Sequence, residues 1–468
     1  MTKKLLLLVT LSITLFSCKN SEETSSNTTW IGGEIVNPLE DFVLFYQGDH
    51  IIDSIKLNKD NSFIYEAENL KAGLYSFSHK EFQVFYLEPK DSLMLRVNTI
   101  DFDESLSYTG KGAERNNFLI EMFLHNEAEI ELMPQLYRLT PLEFEKALDS
   151  LKNIRLGIYN GYVIKHEPNT EFKEVAEASI NYDYYSKKEI YITANNSKKE
   201  QENYIEIPES FYNYRKNVDF GSETLRSYFP YTRFLYRYFD NRALEENKEN
   251  NFYNKNSFTH SYTKLKIIDS TITNTDLKNS MVRYIAGSYL LNCNSKENQT
   301  KMLALFQETN TNEKHIKKIT EIAEASMKLT PGNEIPNLSI ITAENTLKSI
   351  HGVINNPTVF YLWSGDSDKH HENIHYRVKE LNSKFPEYDF IGINTDSNYN
   401  NWIHMVTKKG YNKGKEYQFE DISKAEKTLV IYSMNKTIIV DENAKIINGS
   451  ANLFNKNIEG ILLGYLNQ

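Results

Sequence analysis

Apolar and polar positions alternate in short runs between Trp30 and about Gly112. The runs WIGGEIV (30–36), FVLFY (42–46), DSIKL (53–57), SFIY (62–65), GLYSF (73–77), FQVFYL (82–87) and SLMLRV (92–97) are bounded by Gly, Asp, Asn or Lys-Asp turns. Ser54 and Lys56 set against Ile55 and Leu57 give one wet and one dry face. This period of two predicts an all-β domain over residues 30–112, a sandwich or small barrel rather than a parallel sheet. Asn58–Asn61 (NKDN) reads as a hairpin turn. From Asn116 to about Ser326 the period lengthens, with apolar residues three and four apart in Phe118–Leu124 and Leu142–Lys152. A mainly helical domain over 113–330 follows, which the Asn-rich segment 245–256 divides as a loop.

Residues 331–468 alternate again between strand and helix patterns. After a leading segment at 335–341 come a strand at 356–363, a helix Asp368–Lys384, a strand at 388–394 and a helix around 402–406. Strands at 428–432 and 437–440 and a helix at 457–466 complete the order. This predicts an α/β layer fold whose residues 364–370 sit at the carboxyl end of a central strand, where ligand chemistry gathers in open α/β sheets.

The leader adds a location. Lys3 and Lys4 precede a short apolar core, Leu5–Phe16, which reads as a signal peptide over 1–17 and is too short to span a bilayer. Ser17 before Cys18 resembles a bacterial lipoprotein box. The resemblance implies cleavage before Cys18 and a lipid anchor, palmitate included, on its new amino terminus. Lys19 in place of Asp implies the outer membrane, and residues 18–29 read as a flexible tether.

A net charge of −10 with basic residues scattered among acids excludes a nucleic-acid binder, which needs a concentrated basic face. Only two cysteines occur, so once Cys18 is acylated Cys293 has no partner for an internal disulfide. Cys293 ends an apolar run from Met281 and reads as a packing thiol. Arg226, Arg233 and Arg237 lie among aromatics and could hold an anion, although a solvated helix face paired with local acids is the more ordinary account.

The run Tyr361–His370 (YLWSGDSDKH) carries the candidate chemistry. Ser367 with His370 could form a nucleophile and base, but no orienting group or nucleophile elbow accompanies them. Ser367, with Asp368, reads instead as a helix N-cap. His371-Glu-Asn-Ile-His375 matches the zincin spacing, which puts His371 and His375 on one helix face with Glu372 between them. A zincin also needs a third protein ligand, which His370, Asp366 or Asp368 could supply, and a cleft across that helix; a solvated polar helix face is the more ordinary account, so no metal or other cofactor is expected.

The whole arrangement resembles the thioredoxin-like lipoproteins of Bacteroidota, which join a lipobox, a small β domain, a helical middle and a thiol-disulfide oxidoreductase-like domain. Pro331-Gly332, Ile335-Pro336, the strand ending in Trp363, Asp396-Ser397 with Trp402, and the hairpin Thr437–Lys445 carry the likeness. The resemblance places Ser367 at the attacking cysteine, His370 at the resolving cysteine and about Asn435, with Lys436 as the neighbouring choice, at the cis-proline. It therefore implies a degenerate active site, because exchange needs a thiolate that serine cannot supply. The expected role is binding or scaffolding in the cell envelope, with an envelope protein, peptide or glycan as partner and no dithiol chemistry. The alternative is an oxidoreductase-family enzyme acting atypically through Cys293 or a partner's thiol.

Overall fold

The computed structural model describes residues 27–48, 50–196, 206–247, 254 and 256–467, without the side chains of Asn196 and Asp368. The signal peptide 1–17, Cys18 and most of the tether lie outside the described residues, as do 248–253 and 255 of the loop at 245–256 and the capping side chain of Asp368. The chain divides into two compact units, Met1–Tyr238 and Phe239–Gln468. The division falls inside the helix Phe229–Glu246, within the region that reads as one helical domain. Pro230 sits in the first turn of that helix, where its missing N–H costs nothing.

In the first unit, strands β1 (Thr28–Val36), β2 (Phe42–Gln47), β3 (His50–Lys56), β4 (Ser62–Glu68), β5 (Gly73–His79), β6 (Glu81–Leu87), β7 (Ser92–Asn98) and β8 (Ser107–Lys111) form two open four-stranded sheets. Their orders are β4-β1-β7-β8 and β3-β2-β5-β6, so neither closes into a barrel. Ile31, Ile35, Phe63, Leu95 and Val97 of one sheet share a core with Val43, Phe45, Phe77 and Phe85 of the other. One pairing departs from the antiparallel expectation, since β1 runs parallel to β7. Gly33 permits it, because a Cβ there would collide with the Leu95 carbonyl. The Asn58–Asn61 turn forms, with Asn61 N donating to Asn58 O at 3.0 Å and Asn61 at φ +63. It is not a hairpin, however: β3 pairs with β2 and β4 with β1, so the turn carries the chain from one sheet to the other. Helices Ala113–Ile130, Pro141–His166 and Thr170–Asn196 follow, the second opened by a capping box between Thr140 and Glu143.

In the second unit, helices Phe258–Thr271, Thr275–Asn292, Lys296–Thr309 and Glu313–Lys328 are capped by Ser257, Asn274, Ser295 and Asn312 in turn. Strands β9 (Ser339–Ile341), β10 (Leu347–Ser349), β11 (Thr358–Trp363), β12 (Asp389–Asn394), β13 (Glu416–Phe419), β14 (Lys436–Val440) and β15 (Ile446–Asn452) form one mixed sheet, ordered β10-β9-β13-β12-β11-β14-β15. Helices Asp368–Lys384 and Tyr399–Lys409 follow β11 and β12, and Ile458–Leu466 closes the chain. The inner block β12-β11-β14-β15, with β11 parallel to β12 and β14 antiparallel to β11, is the β-α-β-α-β-β-α order of a thioredoxin-like fold.

The strand expected at 428–432 is absent. Ile422–Leu429 is a helix capped by Asp421, whose side chain accepts from Lys424 N at 2.9 Å, and Ala425 and Leu429 bury one face of it. Val430 then turns the chain out of the helix at φ +54. The place in the sheet is taken by β13, four buried residues that include Glu416 and Gln418 and so do not read as an apolar strand. Among the described residues no helix is long and apolar enough to cross a membrane.

Candidate functional site

All six residues of β11 are buried, as an inner strand covered on both faces requires. Its last residue, Trp363, delivers the chain to Ser364–Ser367, and a single carboxylate fixes that loop. Asp396, just past β12, accepts from the Ser364 hydroxyl, from Gly365 N at 2.7 Å and from the Asn394 amide at 2.9 Å. Gln418 of β13 holds this carboxylate's own backbone, donating to Asp396 O at 2.7 Å and to Asn394 Oδ1 at 3.1 Å. Three neighbouring strands thus set the loop.

A second carboxylate lies beneath it. Glu416, 2% exposed, accepts from Tyr361 OH at 2.6 Å and from Trp363 Nε1 at 2.8 Å, and faces His375 Nε2 at 3.2 Å. His375 Nδ1 lies 2.7 Å from the His371 carbonyl, which can only accept, so Nδ1 carries a proton. The contact between Nε2 and Glu416 Oε1 therefore needs a second proton on one of the two atoms. Burial and Glu416 push the Tyr361 phenol well above its usual range, which keeps it a donor. Tyr411 stacks on His375 at 3.6 Å between centroids, and burial raises its phenol to about 12. Gly392 makes room for the carboxylate, since a Cβ there would strike it.

The residues singled out in the sequence are placed as follows. Ser367 occupies the N-cap position of Asp368–Lys384, but its side chain makes no capping bond; only its carbonyl is used, accepting from His371 N at 3.1 Å. His370 Nε2 lies 3.0 Å from Asn435 Oδ1, so these two positions come together across the sheet edge. No hydrogen bond joins Ser367 to His370, and His370 Nδ1 is buried without a partner. The described peptide bonds are all trans, that of Asn435 included. The zincin-like triplet does not converge. His371 is buried with Nδ1 at 2.9 Å from Tyr411 OH, both nitrogens of His375 are engaged, and Glu372 pairs with Lys409 at the surface at 2.6 Å. Among the described residues no group of three His, Cys, Asp or Glu is placed to hold a metal ion.

Cys293 is half-buried rather than deep in the core, and it forms the C-cap of Thr275–Asn292. Its sulfur lies 3.2 Å from Tyr289 OH and accepts from Ser295 N at 3.4 Å. The flanking Asn294 is bonded to Asn448 on β15 at 3.1 Å. Cys293 is not among the residues that line the cavity beside the loop.

That cavity, of about 760 Å³, opens beside the loop between Ser367, Asp396, Asn401, Trp402, Met405 and Glu426. Its volume is that of a small-ligand site. Asp366, Asn398 and His404 add polar groups, while among the described residues no Lys or Arg lines it, so the wall is rich in acceptors. Sequence reasoning placed the loop but missed Glu416 and Gln418. The one signal for them was two polar residues inside the short run EYQF.

Lys436, next to Asn435, gives a pH signature. Burial pushes its amine from 10.5 down to about 7, and Nζ donates to Val430 O at 3.1 Å. Below pH 7 the amine is charged in folded and unfolded chains alike; between about 7 and 10.5 only the unfolded chain holds the proton. Stability contributed by this group therefore rises with pH across that window. Urea unfolding of the native chain should show the rise, and Lys436→Met should flatten it and be the more stable at pH 7.

No family model matches the chain, and no curated protein matches it. Solved structures do. A thioredoxin-like protein from Bacteroides caccae is 14% identical over 56% of this chain and 95% of its own, with a TM-score of 0.37. The thioredoxin domain of a thiol-disulfide oxidoreductase from Bacteroides vulgatus is 17% identical over 30% of this chain and 96% of its own, with a TM-score of 0.25. A thiol-disulfide oxidoreductase from Bacteroides fragilis is 18% identical over 29% of this chain and 98% of its own, with a TM-score of 0.24. The thioredoxin-like assignment itself rests on the strand order and connections of the second unit.

Proposed function

We propose that this chain is a lipid-anchored, thioredoxin-like binding protein of the cell envelope, tethered through Cys18 to the outer membrane and without dithiol exchange of its own. The observation that carries the reading is the contact of His370 with Asn435, at the positions that resemblance gives to the resolving cysteine and the cis-proline. With Ser367 at the remaining position, the loop offers hydroxyl, imidazole and amide groups, none of which attacks a disulfide.

The acceptor-rich cavity supports a ligand that presents donors, such as the hydroxyls of a glycan or a basic segment of an envelope peptide. Trp402, whose buried indole N–H has no acceptor, and Met405 supply the apolar part of the wall. Immobilised full-length chain probed with envelope oligosaccharides and with lysine-rich peptides tests this. Binding should weaken at least about tenfold, or 1.4 kcal/mol, in Asn401→Arg and in Glu426→Lys, both exposed at the rim. Binding that survives both changes would place the ligand elsewhere.

A further inference from the structure

The arginines of the helix Phe229–Glu246 divide in an unexpected way. Arg226, just ahead of that helix, pairs with Glu223 at 2.9 Å near the surface, as an ordinary solvated face would. Arg233 instead reaches inward to Asp183 of the helix Thr170–Asn196. Asp183 also receives Arg155, which is 1% exposed and extends to Glu129 at 3.3 Å as well. Lys187 completes the group on Glu129. Arg237, one helical turn beyond Arg233 and half-buried, makes no hydrogen bond or ion pair with any described residue.

The charges in this group do not balance. Two carboxylates, Glu129 and Asp183, face four cations: Arg155, Lys187, Arg233 and Arg237. Burial pulls the Lys187 amine down, yet a neutral Lys187 still leaves one positive charge over. The donors are under-used too. Among the described residues the buried Nε–H groups of Arg155 and Arg233 have no acceptor and nothing is bonded to the half-buried Tyr137 hydroxyl, whose phenol burial raises to about 12 against the opposing charges of Arg237 and Arg233. Burial, and then the neighbouring Arg233, pull Arg237 below the usual guanidinium range, as expected of a cation that lacks its counter-charge. A half-buried cation without a counter-charge among the described residues is costly, and the partner that would offset it is an anion.

We propose that Arg237, Arg233 and Tyr137 form a binding site for a phosphate-type oxyanion. Arg233 and Arg237 lie one turn apart on one helix face, and two guanidinium groups with a phenol hydroxyl offer more N–H and O–H donors than a planar carboxylate with two oxygens can use, which suits a tetrahedral oxyanion better. The site lies in the first compact unit and does not involve the loop at 364–367.

Isothermal titration of the full-length chain with inorganic phosphate, at constant ionic strength set with chloride, tests the assignment. The expected result is one saturable site per chain that is lost in Arg237→Gln and weakened at least about tenfold in Tyr137→Phe. Tyr137→Phe removes only a half-buried hydroxyl, so it keeps the test open if the Arg237 variant fails to fold. Titration with acetate should show no saturation at the same concentrations. Three results would each overturn the proposal: no saturable phosphate site in the native chain, an equal site in both variants, or saturation by acetate alone.

Discussion

Replacing Glu416 with Leu is expected to destabilise the second unit by about 3–5 kcal/mol, read by urea unfolding at neutral pH. The cost has named components. Tyr361 OH and Trp363 Nε1, on side chains 2% and 0% exposed, would each lose their acceptor, and His375 would lose the partner of its Nε2. Each buried donor left unmade costs about 1–3 kcal/mol, and leucine of similar size returns part of this through packing. Glu416→Gln should cost less, because one acceptor oxygen remains. A Leu variant within about 1 kcal/mol of native would mean that this carboxylate does not organise the site.

The second large effect is a gain. Ser367→Cys with His370→Cys puts two thiols three residues apart in the first turn of a 17-residue helix, where the helix N-terminus favours a thiolate. The double variant should form a disulfide that dithiothreitol reduces, visible as a loss of two hydrogen masses on oxidation, and should gain insulin-reducing turnover. Resemblance puts Asn435, or its neighbour Lys436, at the cis-proline position, and no cis peptide bond occurs among the described residues, so the turnover of the double variant should remain below that of an ordinary thioredoxin. Thiols that never pair would show that the loop is out of register with the family it resembles.

Much of this was legible in the chain. Seven of the eight N-terminal strands were readable, β8 being the exception, because most of them turn alternate residues into a shared core, and the helix at Asp368–Lys384 was readable from its position after an apolar strand. The failures have physical causes. Thr428–Tyr432 carries β-branched and aromatic residues and reads as a strand, but the Asp421 cap and the buried pair Ala425 and Leu429 make its first part helical. β13 was hidden because Glu416 and Gln418 point polar groups at other buried polar groups, so its pattern is not apolar. The Asn58–Asn61 turn was seen, but which strands it joins depends on distant pairings that local sequence does not encode. The surplus of cations around Asp183 was equally invisible, since it depends on four helices and a charge count between them.

Insulin reduction by the native full-length chain, with Cys293→Ser beside it, tests the central claim most directly. The account predicts turnover at the background rate in both, because Ser367 and His370 hold no sulfur and Cys293, with no second thiol among the described residues, is half-buried and bonded to Tyr289 and Ser295. Turnover in the native chain that disappears in Cys293→Ser would contradict it and make this protein an oxidoreductase working through that thiol.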